Sequence, residues 1–573
     1  MSREGEQPNF NIKVEGKILG TNYFVRSITT ERAFNRIGQA TVLLDDGNPA
    51  KKDFAASGSA DLELGKEIVI EAGPLSKPVK VFSGILVSQE IRVTRGRGQL
   101  KLVIKEKSTW LTLAKQNRLF LDQSESAAAK ELLSEEGLSL EGGLGEKKRE
   151  QVILWEQTAW EFLLMRARRL GMVMSCQGAK IEILKPNLNG KGKETLEFGK
   201  NLLNAQVLAD GRYQLAGYEV NGWNYEMQSP VLCQGAEPSM SNQGAQSVVE
   251  LTKVSGKTIY QLAHPAQVIE AQAQEWAEGY LSRWRRSKIQ GWLTVPGTQS
   301  YVLGDLVEIK GMGKAFNGTA LITGIRQESH EAAWSTAVQI GLSDQDLFAP
   351  APAGNLIALQ PGKVKAISND PKGQGRVQVE LPLFKAKPKP LVWARFSSLY
   401  ASNGHGCQFF PYPGDEVTVG FSGGNEEEPI ILGLLNSKNQ PGPYPARDEK
   451  NALKGIKTQS GMELRFDDDQ KILLLSTPAG NKFSLDESKS ALCLEDQNGN
   501  QITLAEGGIE IKSAGNIILE ANGNVSIKAT GNISGNGAQV EFKANAMFKA
   551  QGTQTQIDGS ATLTLKGGVV MIN

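Results

Sequence analysis

The side chains able to do chemistry are few and dispersed. Histidine occurs only at His264, His330 and His405, and cysteine only at Cys176, Cys233, Cys407 and Cys493. His405 stands two residues from Cys407, but a zinc site needs three or four ligands, so neither a metal nor a cofactor is expected. The cysteine spacings form no CxxC pair and no compact disulfide framework, and buried free thiols are the ordinary reading. Two carboxylate runs, Glu426-Glu427-Glu428 and Asp467-Asp468-Asp469, could be imagined as general acid and base. Consecutive acidic residues of this kind are expected in solvated turns instead. With so few histidines no Ser/His/Asp order is persuasive, and the chain is not expected to be an enzyme. Arg283-Trp284-Arg285-Arg286 has the composition of a nucleic-acid patch, but it also fits a helix end whose cations complement the dipole, the reading preferred here. A formal net charge of +1 gives no global field toward nucleic acid or membrane.

The elements that would position any site come next. At 573 residues the chain exceeds one core, and length suggests about three or four domains. Hydrophobic content of 40% and charged content of 22% are those of a globular protein, with Gly high at 62 residues. The start has no apolar stretch of signal-peptide length, and no later run is long enough to span a bilayer. Cytoplasmic synthesis is therefore expected, with any export left to another machine. In the first ~350 residues, 80–93 and 98–108 alternate with period two as half-buried strands do. Residues 126–137 predict a helix stopped by Gly137. The stretch 158–171 predicts a helix with a capping box at Thr158 and Glu161 and a stop at Gly171, followed by a hairpin. A longer helix fits 264–286 with Pro265 in its first turn. A Pro, Ala and Gly-rich linker covers 351–362. Five short strands with Gly and Pro turns in 363–437 suggest a small barrel of OB type. Another linker or neck occupies 438–460.

From residue 461 the sequence repeats itself. "GMELRFDD" at Gly461, "GNKFSLDE" at Gly480 and "GNQITLAE" at Gly499 stand nineteen residues apart. Each is followed by a second strand, carrying Leu473 and Leu475, Leu492 and Leu494, then Ile509 and Ile511. The step then shortens to eight, at Gly507, Gly515, Gly523 and Gly531. Fixed-period repetition marks a stacked architecture, with Gly at corners that need positive φ. The apolar residues Ile509, Ile511, Ile517, Leu519, Val525 and Ile527 point one way. Glu510, Lys512, Glu520 and Lys528 point the other way or lie at the rim. One octad buries two large side chains worth roughly 2 kcal/mol each. Ordering its eight residues costs on the order of 12 kcal/mol. Other walls must therefore close a core, either later octads of the same chain in a solenoid or octads of two other chains in a three-sided prism.

With barrel and ladder in view, the order of parts resembles the VgrG and phage tail-spike hub family, the spikes of type VI secretion and related contractile machines. The matching elements are Trp393-Ala394-Arg395, Gly404 with Gly406, Phe410-Pro411, Gly414-Asp415-Glu416-Val417, Pro429, and Gly433 with Asn436. The loop "GGNEEEP" is longer than the family's usual turn, and His405 stands where an aromatic is common. The resemblance implies a mainly β protein. Residues 1–350 would be a hub of two small β-barrels with helical insertions, 363–437 an OB-fold, and 461–573 a triple-stranded intertwined β-helix needle in a homotrimer. It implies a structural spike that joins the inner tube and baseplate to the puncturing tip, with possible effector cargo and only transient contact with the target membrane. The protein would be assembled into an injection particle and injected on sheath contraction. The blunt C-terminal face, Val570, Met571, Ile572 and Asn573, would seat a PAAR-like tip protein.

Three rival readings have discriminating features. A cell-wall hydrolase would need a lysozyme domain between barrel and helix, where too few residues lie. A nucleic-acid-binding OB protein would need a basic groove with stacking aromatics, yet Lys385, Lys387 and Lys389 are balanced by Asp415, Glu416 and the Glu426–428 run. A phage tail spike or receptor-binding fibre would share the needle but is expected to end in a recognition domain.

Overall fold

The computed structural model describes residues 9–73, 78–330, 333–343, 346–347, 359–422, 428–444 and 449–572. Glu426, Glu427, Asn573 and most of the 351–362 linker lie outside the described residues. Two compact units divide the chain, Met1–Pro441 and Gly442–Asn573.

In the first unit, alternation does what period two requires. Gln39–Asp45 buries Ala40, Val42 and Leu44 opposite Ile104, Leu102 and Leu100 of Arg97–Lys105. These strands belong to a 13-stranded sheet whose two halves keep separate cores. One half packs around Val42, Ile70 and Leu86. The other packs around Leu293, Ile322 and Val338. Antiparallel pairing of Phe24–Ala33 with Gly318–His330 joins the halves.

Helices are inserted beside the sheet. Helix α1 (Glu125–Glu135) starts on a Ser124 cap and ends ahead of Gly137, whose φ is 67°. Helix α2 (Ala159–Arg169) has the expected capping box, Thr158 and Glu161 each satisfying the other's backbone N–H. A hairpin of Val173–Gln177 and Lys180–Leu184 follows. The third insertion corrects the sequence expectation. Helix α3 spans Glu270–Arg285, and Pro265 lies in the strand Ile259–Gln267. That strand continues its parallel pairing with Gly217–Asn224 as far as Trp223↔Gln267, so the ladder claims the residues that the proline suggested for a first turn.

The five strands Gln360–Ala366, Val377–Glu380, Leu391–Phe396, Glu416–Phe421 and Pro429–Leu434 close a barrel. Gly362 lies so near Val379 and Val419 that a Cβ would meet them at 2.5 and 3.0 Å. The barrel core is not private. Leu119, Ile153 and Trp155, from the antiparallel strand pair Lys115–Ser124 and Lys148–Thr158, pack into one cluster with Val379, Val392 and Val417. Trp155 stands 5.0 Å from Phe384, ring to ring. The backbones also bond, Leu119 N–H to Lys385 O and Lys385 N–H to Asn117 O, each at 3.0 Å. Arg376 adds an ion pair to Glu150 at 2.9 Å.

The second unit opens with a seven-stranded antiparallel meander. Its strands are Leu453–Lys457, Glu463–Asp467, Ile472–Ser476, Lys482–Asp486, Ala491–Glu495, Gln501–Ala505 and Gly508–Lys512. Residues 513–572 follow as segments without assigned strand between bends, and form no strand pairing among the described residues.

Candidate assembly surface

The nineteen-residue step is a hairpin device. At each repeat one turn is closed by the same pair of bonds. Gly461 N–H reaches Thr458 O and Thr458 N–H reaches Met462 O. Gly480 and Asn481 do this with Thr477, and Gly499 and Asn500 with Asp496. The three glycines have φ of 89°, 101° and 84°, the left-handed position that such a turn demands. Asn500 and neighbouring N–H groups hold the Asp496 carboxyl well below its ordinary range. The Asp467–Asp469 run lies at an opposite turn, with Asp468 and Asp469 paired to Lys454 and Lys450.

Register then decides which side chains share a face. Leu464 and Phe466 stand opposite Leu475 and Leu473, and these opposite Phe483 and Leu485. The ladder continues through Leu494 and Leu492 to Ile502 and Leu504, and ends on Ile511 and Ile509. Six consecutive strands thus place only large apolar side chains in the middle of one face. The other face carries Arg465, Ser484, Cys493, Thr503 and Glu510 along the same rows, interrupted by Leu474. Phe466, Leu475, Leu494, Ile509 and Ile511 are exposed in the single chain. An apolar face of this extent is what marks an interaction surface.

The stripe continues past the sheet. Bends fall at 514–515, 522–523, 530–531, 538, 545–546, 553–554, 560–561 and 568–569, about every eight residues. The second and fourth residues after a bend are Ile517 and Leu519, Val525 and Ile527, Val540 and Phe542, and Leu563 and Leu565, all exposed. The remaining rungs are weaker: Ile533 is followed by Gly535 and Phe548 by Ala550, and Gln556 and Asp558 fill both positions of another. Sequence reasoning followed the octads only as far as Gly531, because later corners are Ala538, Asn545-Ala546, Thr553-Gln554 and Ser560-Ala561 instead of Gly-Asn. The apolar spacing carried the signal where the glycines did not. Near the end Val570, Met571 and Ile572 are exposed as well.

The barrel motif residues sit at the seams of the fold. Trp393 and Arg395 share one strand, and the Arg395 guanidinium lies 4.4 Å from the Tyr225 ring. Gly414 (φ 102°) and Asp415 form the turn that ties Val364 to the fourth strand, Gly414 N–H to Val364 O and Val364 N–H to Asp415 O. Pro429 opens the last strand, the position where a missing N–H does least harm.

The other candidates are scattered. His264 is wedged edge-on against Trp276, and burial pushes its pKa down to about 4. His330 ends a strand, and His405 lies on an exposed barrel loop. Cys176 and Cys233 are buried as expected, but Cys407 is exposed and Cys493 half-buried. Cys407 belongs to that loop, and Cys493 to the polar face of an uncovered sheet. Arg283, Arg285 and Arg286 are all buried, which removes them as a nucleic-acid surface. Arg283 and Arg286 donate to main-chain carbonyls, and Arg285 to the Glu237 carboxylate. Among the described residues no helix is long and apolar enough to cross a membrane.

Residues 4–331 match the family described as the Alg8 N-terminal domain, which is more than half of the chain. The chain belongs to that family. Beyond this Alg8 N-terminal domain, residues 360–435 match the type VI secretion system/phage-baseplate injector OB domain, which spans the closed barrel. Over 122 residues the sequence is 30% identical to the type VI secretion system spike protein VgrG4b of Pseudomonas aeruginosa, covering 19% of this chain and 15% of that protein. The chain thus spans about 15% of the length of the curated relative it matches. Among solved structures, the lidded Francisella PdpA-VgrG complex aligns with a TM-score of 0.52 at 10% identity, covering 89% of this chain and 80% of that one. The half-lidded form aligns at 0.51 and 10% identity, covering 89% and 88%. The likeness extends the resemblance to the VgrG and tail-spike hub fold over most of the chain, mainly β and with an OB barrel.

Proposed function

We propose that three copies of this chain form the spike and hub at the tip of a contractile injection system. The reading rests on one observation above all, the apolar sheet face that runs into an unpaired octad path. Residues 513–572 form no coil with their own chain, so the single-chain solenoid loses its support among the described residues. In the single chain water can meet the backbone of these segments, and two further copies would replace that water with strands of the same period while covering the apolar stripe. Ile509, Ile511, Ile517, Leu519, Val525 and Ile527 would then face the axis. The injector-type barrel supports the machine, and the core it shares with the hub suits a part that transmits thrust.

On this reading the hub continues the inner tube and baseplate, and the needle leads through the target envelope. A PAAR-like tip protein would cover Val570, Met571, Ile572 and Asn573. The particle would be assembled inside the producing cell and injected from it, with no catalytic step assigned to this chain. The solved Francisella VgrG stands in a complex with PdpA, which makes protein cargo or partners at such a spike a reasonable search. Native mass measurement of the full chain tests the core claim. A trimer at micromolar concentration is expected, and a well-folded monomer would refute it.

A further inference from the structure

The spike reading leaves unused a cavity of about 220 Å³ in the first unit, beside the C-terminal end of α3. Its polar wall carries Gln243, Arg285, Arg286 and Lys288, and Leu306 and Leu321 line the apolar side. Arg285 and Arg286 are only 2% and 5% exposed. Arg285 gives two nitrogens to the Glu237 carboxylate. Arg286 gives Nε to Ser282 O and Nη2 to Gly171 O, both at 3.3 Å. Lys288 donates to the carbonyls of Gln243 and Gln246 at 2.6 Å.

What remains is one-sided. Nη1 of Arg285, Nη1 of Arg286 and Nε2 of Gln243 are buried donors without an acceptor. No buried side-chain acceptor on the same wall is left over. Charge is one-sided too, since among the described residues Glu237 is the only acid lining the cavity against three cations. Burial, with Arg283 close behind, pushes the Arg286 pKa down to about 9. Buried cations and donors are tolerated when an anion or acceptor meets them.

We propose that this cavity binds a small oxyanion, a carboxylate or phosphate group whose oxygens accept from Arg285, Arg286 and Gln243. Guanidinium groups favour such partners because their N–H forks match two oxygens. Any apolar body the ligand has would rest on Leu306 and Leu321. Calorimetric titration of the full chain at fixed ionic strength tests this, with inorganic phosphate and isobutyrate as probes against chloride. Saturable binding of one probe per chain is expected. Phosphate alone would identify a phosphate group, isobutyrate alone a carboxylate, and both the shared chemistry. Gln243→Leu and Arg285→Met should each weaken binding about tenfold, the worth of one charge-assisted hydrogen bond. Gln243 is half-buried and outside the hydrophobic core clusters, so Gln243→Leu keeps the test open if Arg285→Met fails to fold. Absence of saturable binding by either probe, or wild-type affinity in the folded variants, would overturn the proposal.

Discussion

Ile517 tests the inward face most directly. In the single chain it is 56% exposed, while its neighbour Ile518 is 79% exposed and out of phase with the stripe. Full burial of an isoleucine is worth roughly 2 kcal/mol, so closing the proposed needle would gain about 1 kcal/mol at Ile517 in each chain and about 3 kcal/mol in a three-chain layer. Ile517→Ala removes most of that and should lower local protection against hydrogen exchange by about a hundredfold. Ile517→Asp goes further. It places three carboxylates in one layer, each carrying a desolvation penalty of several kcal/mol, for a total on the order of 10 kcal/mol. Neighbouring rungs cannot offset this, so the needle should open around 513–532 even while the sheet face holds the chains together.

The same carboxylates predict a pH rescue. Desolvation and like charge raise their pKa in the closed needle above the ordinary aspartate value of about 4. The closed state then binds more protons than the open one, so closure strengthens as pH falls and is lost as pH rises. Hydrogen exchange with mass spectrometry, corrected for intrinsic rate, should find 513–532 protected in the wild type at both pH 7.5 and 4.5. Ile517→Asp should be unprotected at the higher pH and regain protection at the lower. Ile518→Asp should behave as the wild type. Equal loss in both aspartate variants, or no loss in either, would refute the assignment of faces.

Three further outcomes follow from the first unit. Trp155→Ala should destabilise it by about 3–5 kcal/mol and split one melting transition into two, because Trp155 links the strand pair Lys115–Ser124 and Lys148–Thr158 to the barrel core. Scanning calorimetry reads both effects. Thr158→Ala breaks the α2 capping box and should lower stability by about 1 kcal/mol in denaturant titration. Glu106 is 1% exposed and accepts the Gly38 N–H at 3.1 Å, and burial raises its pKa to about 7. Its protonated form is favoured in the fold, so its contribution is full at low pH and falls between about 4.5 and 7. Melting temperatures of Glu106→Gln should lack that part of the decline.

Patterns that rest on local chemistry were legible in the sequence. The capping box at Thr158, the five barrel strands and the nineteen-residue hairpins each follow from neighbours in the chain. Long-range arrangements were not. Pairing of Trp223 with Gln267 overrode the proline signal for α3, and nothing near Trp155 announces a partner at Phe384. The arginines on either side of Trp284 do end α3 as the preferred reading expects, but their burial was not legible for a related reason. Their carbonyl and carboxylate partners lie on distant segments, at Gly171, Glu237 and Asp346. The candidate surface was half legible. Apolar alternation named Ile517 and Leu519, but the rungs beyond Gly531 lost their glycine corners and so their visibility.

The change from a nineteen-residue to an eight-residue repeat alters what each chain can do alone. In the meander every inner strand has two hydrogen-bonded neighbours from its own chain, so the single chain satisfies its backbone and lacks only a cover for one face. In the octads it lacks both ladder and cover. The two stretches therefore differ in how far they depend on partners. In the proposed trimer the meander would form first and bring the apolar faces of three chains into register through rows such as Leu475, Phe483 and Leu494. The octads would then close only as a set, each rung aligned by the one before it. Stiffness would arise from the same dependence. With every strand of the proposed needle held by different chains on either side, no rung could bend without breaking contacts in all three, and a load along the axis would be shared at every layer.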